Sequence, residues 1–163
     1  RLNQIWVSDV TCFKLGELYL YTCVILDLFS RRVVAYKVSR KNSTQLITST
    51  FKDAWEQRAP DTGLIFHSDR GAQYTSHRFR QLLHARAVVP SFSNSRKPHG
   101  NAVAESFFAT LKKEDLYRKD YTSEAAFKRG LASYIEFYST QRPHRTLKSL
   151  TPCQVEDAFM SDK

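Results

Sequence analysis

Hydrophobic and polar positions alternate with a period of two along the first forty residues. IWVSDVTCF (5–13) is rich in β-branched and aromatic residues and predicts a strand. On that period Ile5, Val7, Asp9, Thr11 and Phe13 share one face, so Asp9 is an acid inside an otherwise apolar row. LGELYLYTCVILDLF (15–29) predicts a long strand, apolar on both faces and therefore central. RRVVAYKVS (31–39) follows a Ser–Arg turn and predicts its hairpin partner.

The period then lengthens. KNSTQLITSTFKDAWEQ (41–57) has helical spacing, with Ile47, Phe51, Ala54 and Trp55 as its buried stripe. Asn42, Ser43 or Thr44 can cap it, and Gln45 can complete a capping box. After the turn APDTG (59–63), LIFHSD (64–69) predicts a short buried strand ending at Asp69. TSHRFRQLLHARA (75–87) predicts a second helix with Phe79, Leu82 and Leu83 inward. VVPSFS (88–93) predicts a strand that Pro90 confines to a sheet edge. NSRKPHG (94–100) has no periodicity and predicts a loop. NAVAESFFATLKKEDLY (101–117) predicts a helix capped by Asn101. SEAAFKRGLASYIEFYSTQ (123–141) predicts another, capped by Ser123, with Phe127, Leu131, Tyr134, Ile135 and Tyr138 as its stripe. RPHRTLKSLTPCQVEDAF (142–159) predicts a Pro-punctuated tail with a short terminal helix. A three-strand meander followed by alternating helices and strands predicts an α/β fold, a mixed sheet with helices on its faces.

Composition narrows the function. The 163 residues suit one domain with a full core, so 1–163 is expected to be a single unit with 142–163 as its tail. No run is long and apolar enough for a membrane span, and no signal peptide is evident. The chain begins at Arg1 rather than Met, which suggests a piece of a longer protein. The net charge of +9, from 25 Lys and Arg against 16 Asp and Glu, favours a polyanionic partner, with nucleic acid first. Cys12, Cys23 and Cys153 show no metal-ligand spacing, and Cys12 and Cys23 lie in apolar runs, so free buried thiols are expected.

Against that basic background three acids stand out. Asp9 lies within the first strand, Asp69 ends the fourth, and Glu105 lies one turn into a helix. Between Asp69 and Glu105 there are 105 − 69 − 1 = 35 residues. Neighbouring strands lie about 4.8 Å apart. If strands one and four are neighbours, Asp9 and Asp69 can face each other across one metal ion. At about 100° per residue, Asn101, Glu105, Phe108 and Lys112 cluster on one part of their helix, while Val103, Phe107 and Leu111 form its apolar stripe. Phosphodiester transfer suits such a set, since hard oxygen ligands hold Mg²⁺ and a lysine reaches phosphate. A buried structural hydrogen bond is the alternative for Asp9, and Asp27, inside an apolar run, is its rival as ligand.

IWVSDVT, VILDLFSRRVVAY, HSDRGAQYTS, NAVAESFFATLKKE and YIEFYSTQRPHRTL together resemble the catalytic core of the third insertion-sequence family of bacterial transposases. These belong with retroviral integrases among the Asp-Asp-Glu polynucleotidyl transferases. The resemblance implies a ribonuclease-H-like fold with a five-stranded mixed sheet flanked by helices. It maps Asp9, Asp69 and Glu105 onto the catalytic, metal-binding triad and Lys112 onto the family's cation seven residues after the Glu. It implies Mg²⁺, with Mn²⁺ as substitute and two ions per site. The expected activity is DNA cleavage at element ends to leave a 3′-OH, which then attacks target phosphate. An upstream helix-turn-helix segment outside this chain, assembly as a homo-oligomer and a bacterial cytoplasmic, nucleoid-associated location follow from the same resemblance. One departure is Gly100-Asn101-Ala102, where the family reads Asp-Asn-Ala.

DNA contacts are expected from Arg70, Arg96, Lys97, Asn101 and Lys112. His67 is a candidate general base that a two-metal site does not need. Arg142 and His144 belong to the tail, where packing competes with DNA contact. Tyr134, Phe137 and Tyr138 are expected in the core. Two other readings compete with the enzyme: a catalytically inactive DNA-binding or assembly module of the same fold, and a ribonuclease acting on RNA–DNA hybrids.

Overall fold

The computed structural model describes residues 1–94 and 101–163. Five strands, β1 (Ile5–Leu15), β2 (Leu18–Asp27), β3 (Val33–Ser39), β4 (Ile65–Ser68) and β5 (Val89–Phe92), form one sheet in the order β3-β2-β1-β4-β5. β1, β2 and β3 pair antiparallel, while β4 and β5 add in parallel. The meander and the edge position of β5 agree with the periodicity. β2 is interior, between β1 and β3. The 15–29 strand starts later than its apolar run, because the chain reverses at Gly16, whose φ of 59° suits a residue without Cβ.

Among the described residues six α-helices flank the sheet: α1 (Thr44–Arg58), α2 (Ala72–Thr75), α3 (His77–Ala85), α4 (Ala102–Leu111), α5 (Glu124–Thr140) and α6 (Pro152–Ser161). Trp6, Ile25, Ile47, Phe51, Phe66 and Phe79 fill the core beneath α1 and α3. Val7, Val24, Leu26, Phe107, Leu131 and Tyr138 fill the core beneath α4 and α5. The odd-numbered residues of β1 look toward α4, which gives the acid row its direction.

Several boundaries differ for local reasons. Ser43 caps α1 by accepting from the Leu46 amide, and no box forms because Leu46, not Gln45, is the third helical residue. The helix predicted over 75–87 runs from His77 to Ala85, since Ser76 leaves the helical conformation and caps α3 through the Phe79 amide; the short α2 before it was not predicted. The 101–117 helix is α-helical only to Leu111 and then widens into a π-turn over Lys112–Leu116. Cys12 is exposed, contrary to expectation, because β1 outruns the helices that cover its even-numbered face. Cys23 is buried as expected.

Candidate active site

β1 and β4 are neighbours. Their parallel ladder pairs Ile5 with Ile65, Trp6 with Phe66 and Val7 with His67. Asp9 lies two residues beyond Val7, and Asp69 two beyond His67. Asp69 thus follows the end of β4 beside the strand that carries Asp9, near enough to act on its carboxylate. On the other side of β1, Asp9 pairs with Val24.

Asp9 is partly buried, and its Oδ1 accepts the Val10 amide at 2.9 Å. Burial raises its pKa to about 6; the Val10 amide opposes the rise, and the Asp69 and Glu105 carboxylates add to it. Lys112 pulls it back down. The Asp69 and Glu105 carboxylates and the Lys112 ammonium are thus each near enough to Asp9 to shift it. Asp69 is exposed and folds back, its Oδ1 accepting the Gly71 amide at 2.7 Å. A Cβ on Gly71 would lie 2.9 Å from that oxygen, which is why glycine stands there. Glu105 is exposed in the first turn of α4, and Lys112 opens the π-turn at its end.

Of the residues that hold this site, Ser8 and Tyr74 carry no expectation from the sequence, and Asn101 carries a different one. The Ser8 hydroxyl donates to the Val24 carbonyl at 2.8 Å and lies 2.8 Å from the Tyr74 hydroxyl, tying α2 to β1 beside Asp9. The Asn101 amide donates to the Ser8 carbonyl at 2.8 Å and ties the start of α4 to the same point. A polar residue on the inward face next to Asp9 was the available signal.

Asn101 requires correction on two counts. It makes no side-chain cap bond, and it is only 6% exposed, turned into the protein rather than toward DNA. Asp27 is no rival for Asp9. It is fully buried and accepts the amides of Asn3, Phe29 and Ser30, which makes it the anchor of the β2–β3 turn. The ring nitrogens of His67 lie 2.9 and 3.1 Å from the hydroxyls of Ser91 and Ser93, a link between β4 and the β5 end rather than a free base. Arg142 is held by Glu114 at 2.8 Å. His144 is buried against Tyr138 and donates to its carbonyl at 2.9 Å, so the tail motif is packing. Tyr134 and Tyr138 are in the core, while Phe137 is 40% exposed. Arg70 is exposed beside Asp69. Arg96, Lys97 and Gly100 lie outside the described residues.

Among the described residues no three acids, histidines or cysteines are already closed around one cation position. The donor set nevertheless fits a hard divalent cation. All three are carboxylates, and a bound positive charge would offset both the burial of Asp9 and the lesser repulsion from Asp69 and Glu105.

Residues 1–98 match the model of a family described as the integrase core domain, and residues 86–152 match a second model of the same description. The transposase for insertion sequence element IS904 of Lactococcus lactis is 34% identical over 155 residues, covering 94% of this chain and 61% of that protein. Transposase InsF for insertion sequence IS3A of Escherichia coli is 32% identical over 156 residues, covering 95% of this chain and 54% of that protein. The chain thus spans between half and two thirds of these curated relatives. An uncharacterized transposase-like protein of Haemophilus influenzae is 33% identical over 150 residues, 92% of this chain and 69% of that protein. Among solved structures, the HTLV-2 integrase catalytic core domain in complex with magnesium superposes with a TM-score of 0.75 at 18% identity, covering 94% and 95% of the two chains. The catalytic core domain of BIV integrase gives 0.71 at 19% identity over 99% of each. At such identities the likeness is one of fold, and the five-stranded mixed sheet flanked by helices is ribonuclease-H-like. The chain belongs to the integrase core domain family, alongside transposases of bacterial insertion sequences.

Proposed function

We propose that this chain is the catalytic core of an insertion-sequence transposase that cleaves DNA at the element's ends and joins the freed 3′-OH to target DNA. The observation that carries the reading is the convergence of Asp9, Asp69, Glu105 and Lys112 from two adjacent strands and one helix. In this reading Asp9, Asp69 and Glu105 hold Mg²⁺, with Mn²⁺ as substitute and two ions per site. Such ions activate the attacking oxygen and stabilise the leaving one. The chain's own groups do the rest. The carboxylates fix where the reacting phosphate lies, and Lys112 neutralises one of its oxygens. Arg70 at the site's edge, with Arg96 and Lys97, holds neighbouring phosphates without reading sequence. The unit is 1–163, acting on double-stranded DNA as part of a homo-oligomer in the bacterial cytoplasm. Among the described residues no helix is long and apolar enough to cross a membrane.

The test is Mn²⁺-dependent strand transfer on a branched DNA that mimics the joined product, comparing the wild type with Asp9→Asn and Glu105→Gln. Joining by the wild type that disappears in both variants, with thermal melting unchanged, is the expected result. DNA binding without joining by the wild type would instead assign the chain as an inactive DNA-binding module.

A further inference from the structure

A groove of about 490 Å³ lies between α4 and the segment that follows α5. Its lining includes Arg31, Ser106, Thr110, Arg142, His144 and Arg145 and, among the described residues, no carboxylate. The three arginines differ. Arg142 is already paired with Glu114. Arg145 is exposed, Arg31 is partly so, and neither guanidinium makes an ion pair or hydrogen bond among the described residues. His144 forms part of the wall, and its outer nitrogen is committed to the Tyr138 carbonyl.

The backbone under Arg31 is unusual. Its φ is 65°, a left-handed conformation that glycine adopts freely and a long side chain does not. The turn is held there from both sides. The Asp27 carboxylate accepts the Phe29 and Ser30 amides, and the Asp27 carbonyl accepts the Arg31 amide at 2.8 Å. Arginine therefore occupies a position where glycine would be less strained, with its charge delivered to a groove that contains no acid among the described residues.

The groove also has a defined place relative to the acids. Ser106 lies about 100° around α4 from Glu105, and Thr110 about 140°. The strip of α4 between the two faces carries Ala102 and Ala109, both exposed and both small. A nucleic-acid backbone can cross that strip closely. A helix with side chains is about 10 Å wide, and each nucleotide of a strand advances about 3.4 Å along the duplex axis.

We propose that this groove is a second DNA-phosphate site. Arg31 and Arg145 hold the backbone roughly three to four nucleotides from the phosphate that reacts at the acids. The Ser106 and Thr110 hydroxyls add neutral hydrogen bonds, so the site positions the strand without reading its sequence. The inference rests on the DNA-joining reading above.

The experiment measures binding of a fixed DNA duplex to the whole chain over a salt series, for the wild type, Arg31→Ala with Arg145→Ala, and Arg31→Gly. Each lost phosphate contact lowers the slope of log affinity against log salt by about 0.9, so the double variant is expected to lose roughly 1.8. Ethylation interference should disappear at phosphates three to four nucleotides from the reacting one. Arg31→Gly relieves the left-handed backbone, so it should melt no lower than the wild type while losing roughly 0.9 of slope. Opposite movement of stability and DNA binding is a result that a merely structural arginine does not produce. An unchanged slope in the double variant overturns the proposal. So does an Arg31→Gly variant that loses binding only because it melts lower. Absence of strand transfer in the wild type would overturn the joining reaction instead, and the salt comparison separates the two failures.

Discussion

Asp69 keeps its place by folding back on its own backbone, with Gly71 as the residue that permits it. The contact is between a side-chain end and a missing Cβ, so Gly71→Ala should push the exposed carboxylate aside without disturbing the core. Melting should change by no more than about 0.5 kcal/mol, while strand transfer should fall about 10²-fold, the penalty for misplacing a reacting group by about 1 Å. Parallel melting and activity assays check this; an active Gly71→Ala protein would remove Asp69 from the site. The glycine announces a turn in the sequence, but its partner becomes visible only when the carboxylate is seen against it. Asn101 shows the converse. Its position before a helix and one turn ahead of Glu105 suggests a cap or a DNA contact, and packing decides for the Ser8 carbonyl instead.

Among the elements, α5 and α6 make the sharpest cases. Gly130 lies inside α5, where alanine ordinarily gains about 1 kcal/mol. Here an added Cβ would lie 2.2 Å from the Tyr121 hydroxyl. That ring is held by the buried Asp115 and by Phe13 and Phe127, so it has little room to move. Overpacking costs about 1–3 kcal/mol and should outweigh the helical gain, so Gly130→Ala is expected to melt lower than the wild type.

α6 is docked by charge. Glu156 is 5% exposed and accepts from Ser30, Arg32 and Arg58. Burial alone would raise its pKa, but the hydrogen bonds from Arg58 and Arg32 outweigh it and hold the carboxyl below its ordinary 4.5. Its contribution is therefore present above about pH 4.5 and lost as the pH falls through the depressed folded value. Glu156→Ala leaves the largely buried Arg58 unpaired and should cost about 3–5 kcal/mol. The more exposed Arg32 adds little of that. Acid titration of stability should flatten in Glu156→Gln, and an unchanged acid limb there would show that other carboxylates govern it.

Across the whole molecule, charge is distributed unevenly. The 35 residues between Asp69 and Glu105 carry six Lys and Arg and no acid, within a chain of net charge +9. If about six phosphates are contacted, affinity for DNA should fall about 10³-fold between 50 and 200 mM salt. A flat salt response would disconnect the basic surface from DNA.

What the chain determined by itself follows from local periodicity and short-range sterics. The period-2 runs specified β1, β2 and β3 and sent Asp9 to one face. The period-3.6 runs specified α1, α4 and α5, and Pro90 kept β5 at the edge. The family motifs, with the spacing of the acids, are what single out Asp9, Asp69 and Glu105 as the expected ligands. Tertiary structure decided what depends on neighbours distant in sequence. Only the β1–β4 ladder brings Asp69 beside the strand that carries Asp9, because pairing is a property of two strands and not of one. Only packing made Asp27 a turn anchor rather than a ligand, placed Asn101 inside, and left Cys12 exposed where β1 outruns its cover. The groove at Arg31 and Arg145 is the same kind of fact. Its residues are 114 positions apart, and no period within either segment could bring them together.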